Sequence, residues 1–466
     1  MERENTLREK TESSMPLERN DIRLPAPSMA ASYLLGYIYV CSFIFGFVRL
    51  PFWGEFLGIP VTLWFRLLFA VLFFAWGEYV ARCKVKVLVN KRGESGPKTP
   101  TEHWFWMACT FLLLLAEVLG RCRAIDFEGR LLYTVAVHGS AAYWALCRFG
   151  QLTENQTGPF FVWDMLDALV TTPFGGYMLR LRAHGQTLFR AAETLRHRMK
   201  QKISWKHAGT TVGVVVLSLP AFFLAGSLLS DADTVGFAAF WQGLIDLLRF
   251  RWPKLPDWFG GVVVRFVFSL PVGAYLYGLL GNCARRHSST LEAEKARAGA
   301  ERMRMVPPVA AVTVFLMFCC LYIVFFAYQA GHLFGAFFGV VPGTATAAQY
   351  AREGFFQLCQ VMAINFGLLL AAAKLCTTSL RSHKGLKALS LLLMLQSVLL
   401  AVTAASKLWL YIDRFGFTPL RLLSAWAILV LAAGSVLAAA SIVRPFRAVQ
   451  KWIWFSMASF VLLCLY

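Results

Sequence analysis

The chain has 466 residues, of which 58% are hydrophobic and only 15% are charged. A soluble domain carries roughly 25% charged residues, so this composition argues against a soluble globular protein. The apolar residues come in blocks of roughly 17–25 residues, which is the length that a helix needs to cross the hydrocarbon core of a bilayer. The sequence therefore predicts an all-α, polytopic transmembrane helical bundle.

The formal net charge of +20 could suggest nucleic-acid binding. Its distribution argues against that function, because the Lys and Arg residues cluster between the apolar blocks, beside the predicted membrane ends. We expect no nucleic-acid partner. The partner that this pattern favours is the lipid bilayer, with an anionic inner leaflet facing the basic connections.

Residues 1–29 are polar with nearly balanced charge, and we predict a mobile N-terminal tail. Four transmembrane helices are predicted within 30–148 and seven more within 208–466. The eleven predicted spans lie near residues 30–49, 59–80, 103–120, 130–148, 208–229, 258–282, 307–330, 354–373, 387–406, 422–441 and 452–466. The last block is short, and the sequence leaves open whether it crosses completely.

The connections between the blocks predict the orientation. With the N-terminus inside, the inner connections hold 33 Lys and Arg residues and the outer connections hold 11. Cytoplasmic loops carry the excess of basic residues in membrane proteins. We therefore predict a cytoplasmic N-terminus and an external C-terminus.

The long inner segment 149–207 is predicted as two parts. Residues 160–177 are apolar but contain two Asp, one Pro and two Gly residues, which favours an interfacial or re-entrant element over a twelfth span. Residues Leu179 to Lys206 alternate basic and apolar side chains, which is typical of an amphipathic helix lying on an anionic inner leaflet.

Catalytic and cofactor-binding signatures are absent from the sequence. The His and Cys residues are too scattered to form a metal site, so we expect no metal and no cofactor. Ionisable residues within apolar blocks are functional candidates, although those near helix ends can also snorkel to the headgroups. The candidates are Arg66, Glu117, His138 and Arg265. We expect Glu117 or Glu353 to pair with Arg66 or Arg265 if a polar pocket exists.

Two stretches on the predicted outer side, Tyr350–Gln357 and Lys407–Arg421, combine charged, aromatic and capping residues. Gly416 is expected to end one helix and Thr418 to cap the next. If the stretches pack together, Glu353 would face Arg421 or Lys407. The residues predicted for this outer binding site are Tyr350, Glu353, Gly354, Lys407, Tyr411, Thr418 and Arg421.

The same stretches carry a family resemblance. Tyr350-Ala-Arg-Glu-Gly-Phe355 and Leu410-Tyr-Ile-Asp-Arg-Phe-Gly416-Phe-Thr418-Pro-Leu-Arg421 resemble two motifs of a family of multipass bacterial membrane proteins known only as a domain of unknown function. The resemblance covers about 300–445. It implies a multipass protein of the bacterial cytoplasmic (inner) membrane and implies no activity.

Three classes of function remain open. The sequence favours a protein that binds or transports an amphiphilic or anionic molecule through an outward-facing polar site. The alternative is a membrane sensor or scaffold that acts through membrane or signalling protein partners. An intramembrane enzyme acting on a lipid or isoprenoid substrate is less favoured, and it would need a converging acid/base pair with perturbed pKa values.

The predicted topology can be tested by cysteine labelling of intact cells, with Ser95→Cys and Phe240→Cys introduced separately into a cysteine-free chain. Position 95 lies in a basic connection and should be protected from a membrane-impermeant reagent, whereas position 240 should react. The reverse pattern would contradict the orientation.

Overall fold

The computed structural model describes most of the chain. Its residues are 24–25, 27–44, 55–56, 59–92, 101–120, 127–185, 237–248, 257–285, 301–329 and 355–466, with the single positions 218, 222, 225, 229 and 299. The predicted N-terminal tail lies almost wholly outside these ranges. The predicted fifth span, apart from four single positions, and most of the predicted basic helix also lie outside them.

The described chain is almost entirely helical. A two-residue antiparallel hairpin, β1 (Glu55–Phe56) with β2 (Ile59–Pro60), precedes the second helix. The α-helices are α1 (Pro27–Tyr39), α2 (Val61–Arg92), α3 (Glu102–Val118), α4 (Phe127–Arg148), α5 (Phe161–Leu166), α6 (Thr172–Gly176), α7 (Phe237–Leu248), α8 (Asp257–Arg285), α9 (Pro308–Gln329), α10 (Phe355–Leu375), α11 (Lys384–Phe415), α12 (Pro419–Val443) and α13 (Ala448–Leu465). Two π-helical segments, Val40–Ile44 and Asp167–Thr171, continue α1 and join α5 to α6.

The prediction of an all-α polytopic membrane protein is confirmed. Eight of the described helices are long and apolar enough to cross a membrane. Helices α3 and α4 coincide with two further predicted blocks, but α3 has only 17 residues and α4 carries Glu128, Arg130 and Arg148 near its ends. The count of eleven spans and the side of the N-terminus remain predictions.

Two helices differ from the predicted pattern. Helix α2 continues to Arg92, beyond the expected end near residue 80, and this extension carries the buried Lys84. The ammonium of Lys84 donates to the carbonyl of Cys283 in α8 at 3.0 Å, which gives this buried group a hydrogen-bond acceptor inside the bundle. Helix α7 lies within a connection for which no helix was predicted.

The first core, here called the N-terminal cluster, joins α1–α5, the π-helical segment Asp167–Thr171, α8 and α13. Large aromatic side chains fill it, and Trp106, Tyr143 and Trp144 are almost completely buried. Helices α9–α12 form a second group of cores, here called the C-terminal cluster. Its centre includes a polar chain in which the hydroxyl of Tyr322 donates to Asn365 at 2.7 Å and the Asn365 amide donates to Ser397 at 2.8 Å.

Helix α13 connects the two clusters. Its Gln450 amide donates to one carboxylate oxygen of Glu102 in α3 at 2.6 Å, and the backbone N–H of Thr157 donates to the other oxygen at 3.0 Å. Trp426 of α12 donates to the hydroxyl of Ser459 in α13 at 3.0 Å. The buried Glu102 carboxylate therefore accepts a hydrogen bond on each oxygen, as a buried charge requires.

The segment predicted as interfacial or re-entrant packs along α8. Its helical course runs from Phe161 through the π-helical segment to Gly176 and continues over 178–185. Arg180 was predicted to lie on the basic face of the surface helix. It is instead buried, with its guanidinium 3.7 Å from the centre of the Tyr33 ring and donating to the Leu270 carbonyl at 2.9 Å. The backbone carbonyl and the ring compensate this charge in place of lipid headgroups.

Glycine allows α6 and α8 to approach closely. A Cβ atom added at Gly278 would overlap the Pro173 carbonyl oxygen, and one added at Gly176 would overlap the carbonyl of Gly278. Small residues permit such backbone contact between membrane helices. This contact fixes the position of the segment Phe161–Gly176 against the N-terminal cluster.

Gly278→Ala should destabilise the protein by about 1–3 kcal/mol, because the added methyl group forces packed backbones apart. Gly260→Ala is the matched control, since Gly260 lies in the same helix and has open space where a Cβ would go. Heating in detergent with a thiol-reactive dye would report unfolding through buried cysteines such as Cys283. Equal melting temperatures for the two variants would contradict the close contact.

Candidate functional site

A polar pocket of about 380 Å³ lies at one end of the N-terminal cluster. Its walls come from the last residues of the α1 continuation, the first turns of α2 and α4 and the last turn of α3. The lining residues are Tyr39, Phe43, Ile44, Arg66, Glu117, Arg130, Tyr133, Thr134, Val137 and His138. Because Arg66, Glu117 and Arg130 all lie close to helix ends, the pocket is expected near one boundary of the hydrocarbon layer.

Arg66 is the central cation of the pocket. Its Nη1 donates to Glu117 Oε1 in an ion pair, and its Nε donates to the Ser42 carbonyl at 3.0 Å. The guanidinium also lies 4.8 Å from the centre of the Phe43 ring. The carbonyl of Ser42 is available for this contact within a π-helical segment, where the regular hydrogen-bond ladder is interrupted.

Glu117 accepts a second hydrogen bond in the pocket. The Tyr133 hydroxyl donates to Glu117 Oε2 at 3.0 Å, so both carboxylate oxygens are engaged. Arg130 adds a second positive charge, and no carboxylate among the described residues pairs with it. Two cations and one anion line the pocket, which therefore carries an excess positive charge.

His138 and Tyr39 form a hydrogen-bonded pair. A carbonyl oxygen only accepts, so His138 Nδ1 must carry the proton that it shares with the Thr134 carbonyl at 2.8 Å. In the neutral ring, Nε2 then accepts from the Tyr39 hydroxyl at 2.9 Å. The backbone contact thus fixes the tautomer and points an acceptor nitrogen toward the cavity wall.

An apolar cavity of about 430 Å³ adjoins the polar pocket. Most of its walls are aromatic and aliphatic side chains of α2, α4 and α8 and of the segment Phe161–Gly176 with the residue that follows it. The lining residues are Tyr39, Phe69, Phe73, His138, Ala141, Ala142, Leu169, Phe174, Tyr177, Pro271, Val272, Tyr275, Leu276 and Leu279. Both volumes are in the range of small-molecule sites, roughly 300–1,000 Å³.

Tyr39 and His138 line both cavities, so this pair marks their junction. Along α2, Phe69 and Phe73 lie about 4.5 and 10 Å deeper than Arg66 at 1.5 Å per residue. A polar compartment near the membrane boundary therefore adjoins an apolar compartment that lies toward the membrane interior. Both compartments also border π-helical segments, which are frequent at functional sites.

Three of the four intramembrane polar residues singled out in the sequence meet in this pocket. Arg66 and Glu117 form one of the pairings that the sequence allowed, and His138 lies on the same wall. Arg265 lies elsewhere, in α8, where its Nη1 donates to the Gly261 carbonyl of its own helix at 3.0 Å. Whether the three residues form a functional site remains a prediction.

The predicted outer site is only partly described. Tyr350, Glu353 and Gly354 lie outside the described residues, so their contact with the second stretch remains a prediction. Lys407 is buried in the C-terminal cluster. Arg421, the other predicted basic partner of Glu353, contacts residues of the hairpin formed by α11 and α12.

The turn between α11 and α12 forms as expected. Gly416 ends α11 with a φ of 77°, and Thr418 occupies the cap position before Pro419, although its side chain makes no capping hydrogen bond. Arg421 instead holds the turn by donating to the carbonyls of Phe415 and Gly416. Its guanidinium lies 4.1 Å from the centre of the Tyr411 ring, so Tyr411 and Arg421 are in contact.

Three polar residues of the pocket, Tyr39, Arg130 and Tyr133, were not among the candidates predicted from the sequence. A signal for the wall of α4 existed, because Arg130, Thr134 and His138 follow one another at four-residue spacing and share a helix face. Tyr39 gave no such signal, since an aromatic residue in an apolar block is typical of ordinary packing. In the described ranges, no group of three His, Cys, Asp or Glu side chains converges as metal ligands would.

The family model described as "Domain of unknown function (DUF4153)" matches residues 108–466. That range is wider than the region that carries the resemblance in the sequence, and it includes α4 with its pocket-lining face. No curated protein and no solved structure matches the chain. Since the matched range spans well over half of its length, this integral membrane protein belongs to the DUF4153 family.

Proposed function

We propose that this protein binds an amphiphilic molecule with an anionic headgroup. The headgroup would occupy the polar pocket and the apolar chain would occupy the adjoining cavity. The observation that carries the proposal is the junction at Tyr39 and His138, where a cationic compartment near the membrane boundary meets an apolar compartment at greater depth. An amphiphile in one leaflet has its headgroup at the membrane boundary and its chain in the hydrocarbon layer, which is the same order as the two compartments.

The charges favour an anion. Arg66 engages Glu117 through Nη1 and Ser42 through Nε, which leaves its Nη2 donors available to a ligand within the described structure. Arg130 supplies a second guanidinium on the opposite helix. Two such groups suit a phosphate or carboxylate headgroup, since guanidinium binds these planar or tetrahedral anions through several hydrogen bonds.

Affinity is expected to come mainly from the polar end. Lipid is about as apolar as the walls of the cavity, so moving a chain from the bilayer into the cavity gains little from the hydrophobic effect. The headgroup contacts instead form near the membrane boundary, where water competes less than in bulk solution. The cavity contributes shape and excludes chains that do not fit.

The positive-inside count would place the pocket on the outer face of the bacterial inner membrane. Binding at one boundary does not by itself move the ligand, so we propose a binding protein, and transport would be an extension of this function. A sensor or scaffold function is the alternative. It would use the pocket as a structural ion-pair site and require no ligand.

Arg130→Gln should weaken binding of an anionic amphiphile about tenfold, because it removes one charge-assisted hydrogen bond worth roughly 1.5 kcal/mol. Native mass spectrometry of the purified full chain would compare oleoyl lysophosphatidylglycerol with oleoyl lysophosphatidylcholine. These probes share one oleoyl chain and differ in headgroup net charge. Wild type should prefer the anionic lipid, and the variant should lose most of that preference.

Arg304→Gln is the control, since it removes an exposed Arg that does not line the pocket. It should retain the wild-type preference, which separates the pocket from a general effect of net charge. Equal binding of both lipids by wild type, or equal loss in both variants, would contradict the proposed function and favour the scaffold alternative.

A further inference from the structure

We infer that the Tyr39–His138 pair selects a single-chain amphiphile that carries a free hydroxyl group between its anionic headgroup and its chain. The chemical class is a monoacyl glycerol phosphate or a close analogue. This inference rests on the proposed function. It adds a second ligand group, the hydroxyl, that the site recognises in addition to the anionic charge.

The selection follows from counting donors and acceptors at the junction. His138 Nδ1–H is committed to the Thr134 carbonyl, so His138 offers the cavities only the acceptor Nε2. Tyr39 offers one O–H donor, which satisfies that acceptor when no ligand is present. The junction therefore presents one donor and one acceptor, side by side and already paired with each other.

A ligand hydroxyl fits this arrangement because it can accept from Tyr39 and donate to His138 at the same time. One hydrogen bond is replaced by two, and both protein groups stay satisfied. A ligand with no polar atom at this depth leaves the original pair intact. An ester carbonyl accepts from Tyr39 but donates nothing, so it leaves His138 Nε2 without a partner, which is costly in an apolar setting. The expected order of affinity is hydroxyl first, no polar group second and ester last.

The phosphate and the hydroxyl of such a ligand are separated by only a few bonds, so the groups that recognise them must lie near each other in the pocket. The Arg66 guanidinium lies 4.8 Å from the centre of the Phe43 ring, and the His138 ring centre lies 5.4 Å from the same point, so both recognition groups contact one aromatic ring. Because Arg66, Tyr39 and His138 also line one pocket, a headgroup bound at Arg66 would have its adjoining carbon atoms near the Tyr39–His138 pair.

The preference for one chain follows from the same junction. The chain passes from the polar pocket to the apolar cavity beside Tyr39 and His138, the two residues that line both. A second acyl chain would be attached through an ester at the position of the hydroxyl. The carbonyl of that ester cannot donate a hydrogen bond, so it would leave His138 Nε2 without a partner.

The test compares three probes with the same oleoyl chain and phosphate: oleoyl glycerol phosphate, its deoxy analogue without the hydroxyl, and its acetyl ester at that hydroxyl. Native mass spectrometry of the full chain should give dissociation constants that rise in this order, with about three- to tenfold between hydroxyl and deoxy compounds, the usual net value of one hydrogen bond. The small acetyl group separates the effect of the ester from the bulk of a second chain.

The double variant Tyr39→Phe/His138→Phe should reduce the hydroxyl-to-deoxy ratio to about one, because neither recognition group remains. Tyr322→Phe is the matched control, since it removes a buried hydroxyl in the C-terminal cluster, and its ratio should stay at the wild-type value. A ratio cannot be produced by partial misfolding, which lowers binding of both probes alike.

The outcomes separate the two proposals. If wild type binds all three probes equally while Arg130→Gln weakens all of them, the inference about the hydroxyl is wrong and the proposed function stands. If wild type discriminates but the double variant discriminates equally well, the assignment to Tyr39 and His138 is wrong. If no probe binds, the proposed function itself fails.

Discussion

Helix α2 carries opposite charges within its apolar stretch, and a neighbouring helix compensates each of them. Arg66 pairs with Glu117 of α3, and Glu78 receives two hydrogen bonds from Arg148 of α4, at 2.6 and 2.9 Å. Arg66 and Glu78 are twelve residues apart in α2, which is about 18 Å along the helix. A lone charge in this setting would cost several kcal/mol, and removing one partner would leave the other uncompensated. The first ion pair therefore joins α2 to α3, and the second joins α2 to α4 about 18 Å away along the helix. The cavities lie beside this frame, next to α1 and α8.

Departures from regular α-helical hydrogen bonding border both cavities. The π-helical segments Val40–Ile44 and Asp167–Thr171 each contribute wall residues, and Pro271 interrupts α8 where it lines the apolar cavity. The hydroxyl of Tyr275 donates to the Leu169 carbonyl at 2.8 Å, which joins two of these interrupted elements. Regular helices packed at uniform distance would close this space. The close contact at Gly176 and Gly278 holds the segment in place nearby, so a rigid contact and an open cavity lie next to each other.

The sequence predicted the helical architecture well, because long apolar blocks leave few alternatives in a bilayer. It also predicted Arg66, Glu117 and His138 as candidates, since charge inside an apolar block is conspicuous. It could not predict their meeting, because the contacts join residues far apart in the chain: Arg66 and Glu117 are 51 residues apart, and Tyr39 and His138 are 99 apart. Arg265 illustrates the same limit. Its charge is as conspicuous in the sequence as that of Arg66, but it donates to a carbonyl of its own helix and does not line the polar pocket. The burial of Arg180 was missed because its basic neighbours suggested a surface helix, whereas its contacts depend on the packing of α1 and α8.

If the two cavities together hold one amphiphile, photo-crosslinking should place its chain in the apolar cavity. An oleoyl glycerol phosphate with a diazirine in the middle of its chain would be bound to the purified protein, irradiated and mapped by mass spectrometry. We expect labelling of the cavity walls in α2 and α8, around Phe73 and Val272, and loss of that labelling when unmodified lipid competes. Labelling confined to the exposed apolar surface of α9, around Met317 and Leu321, with no effect of the competitor, would contradict it.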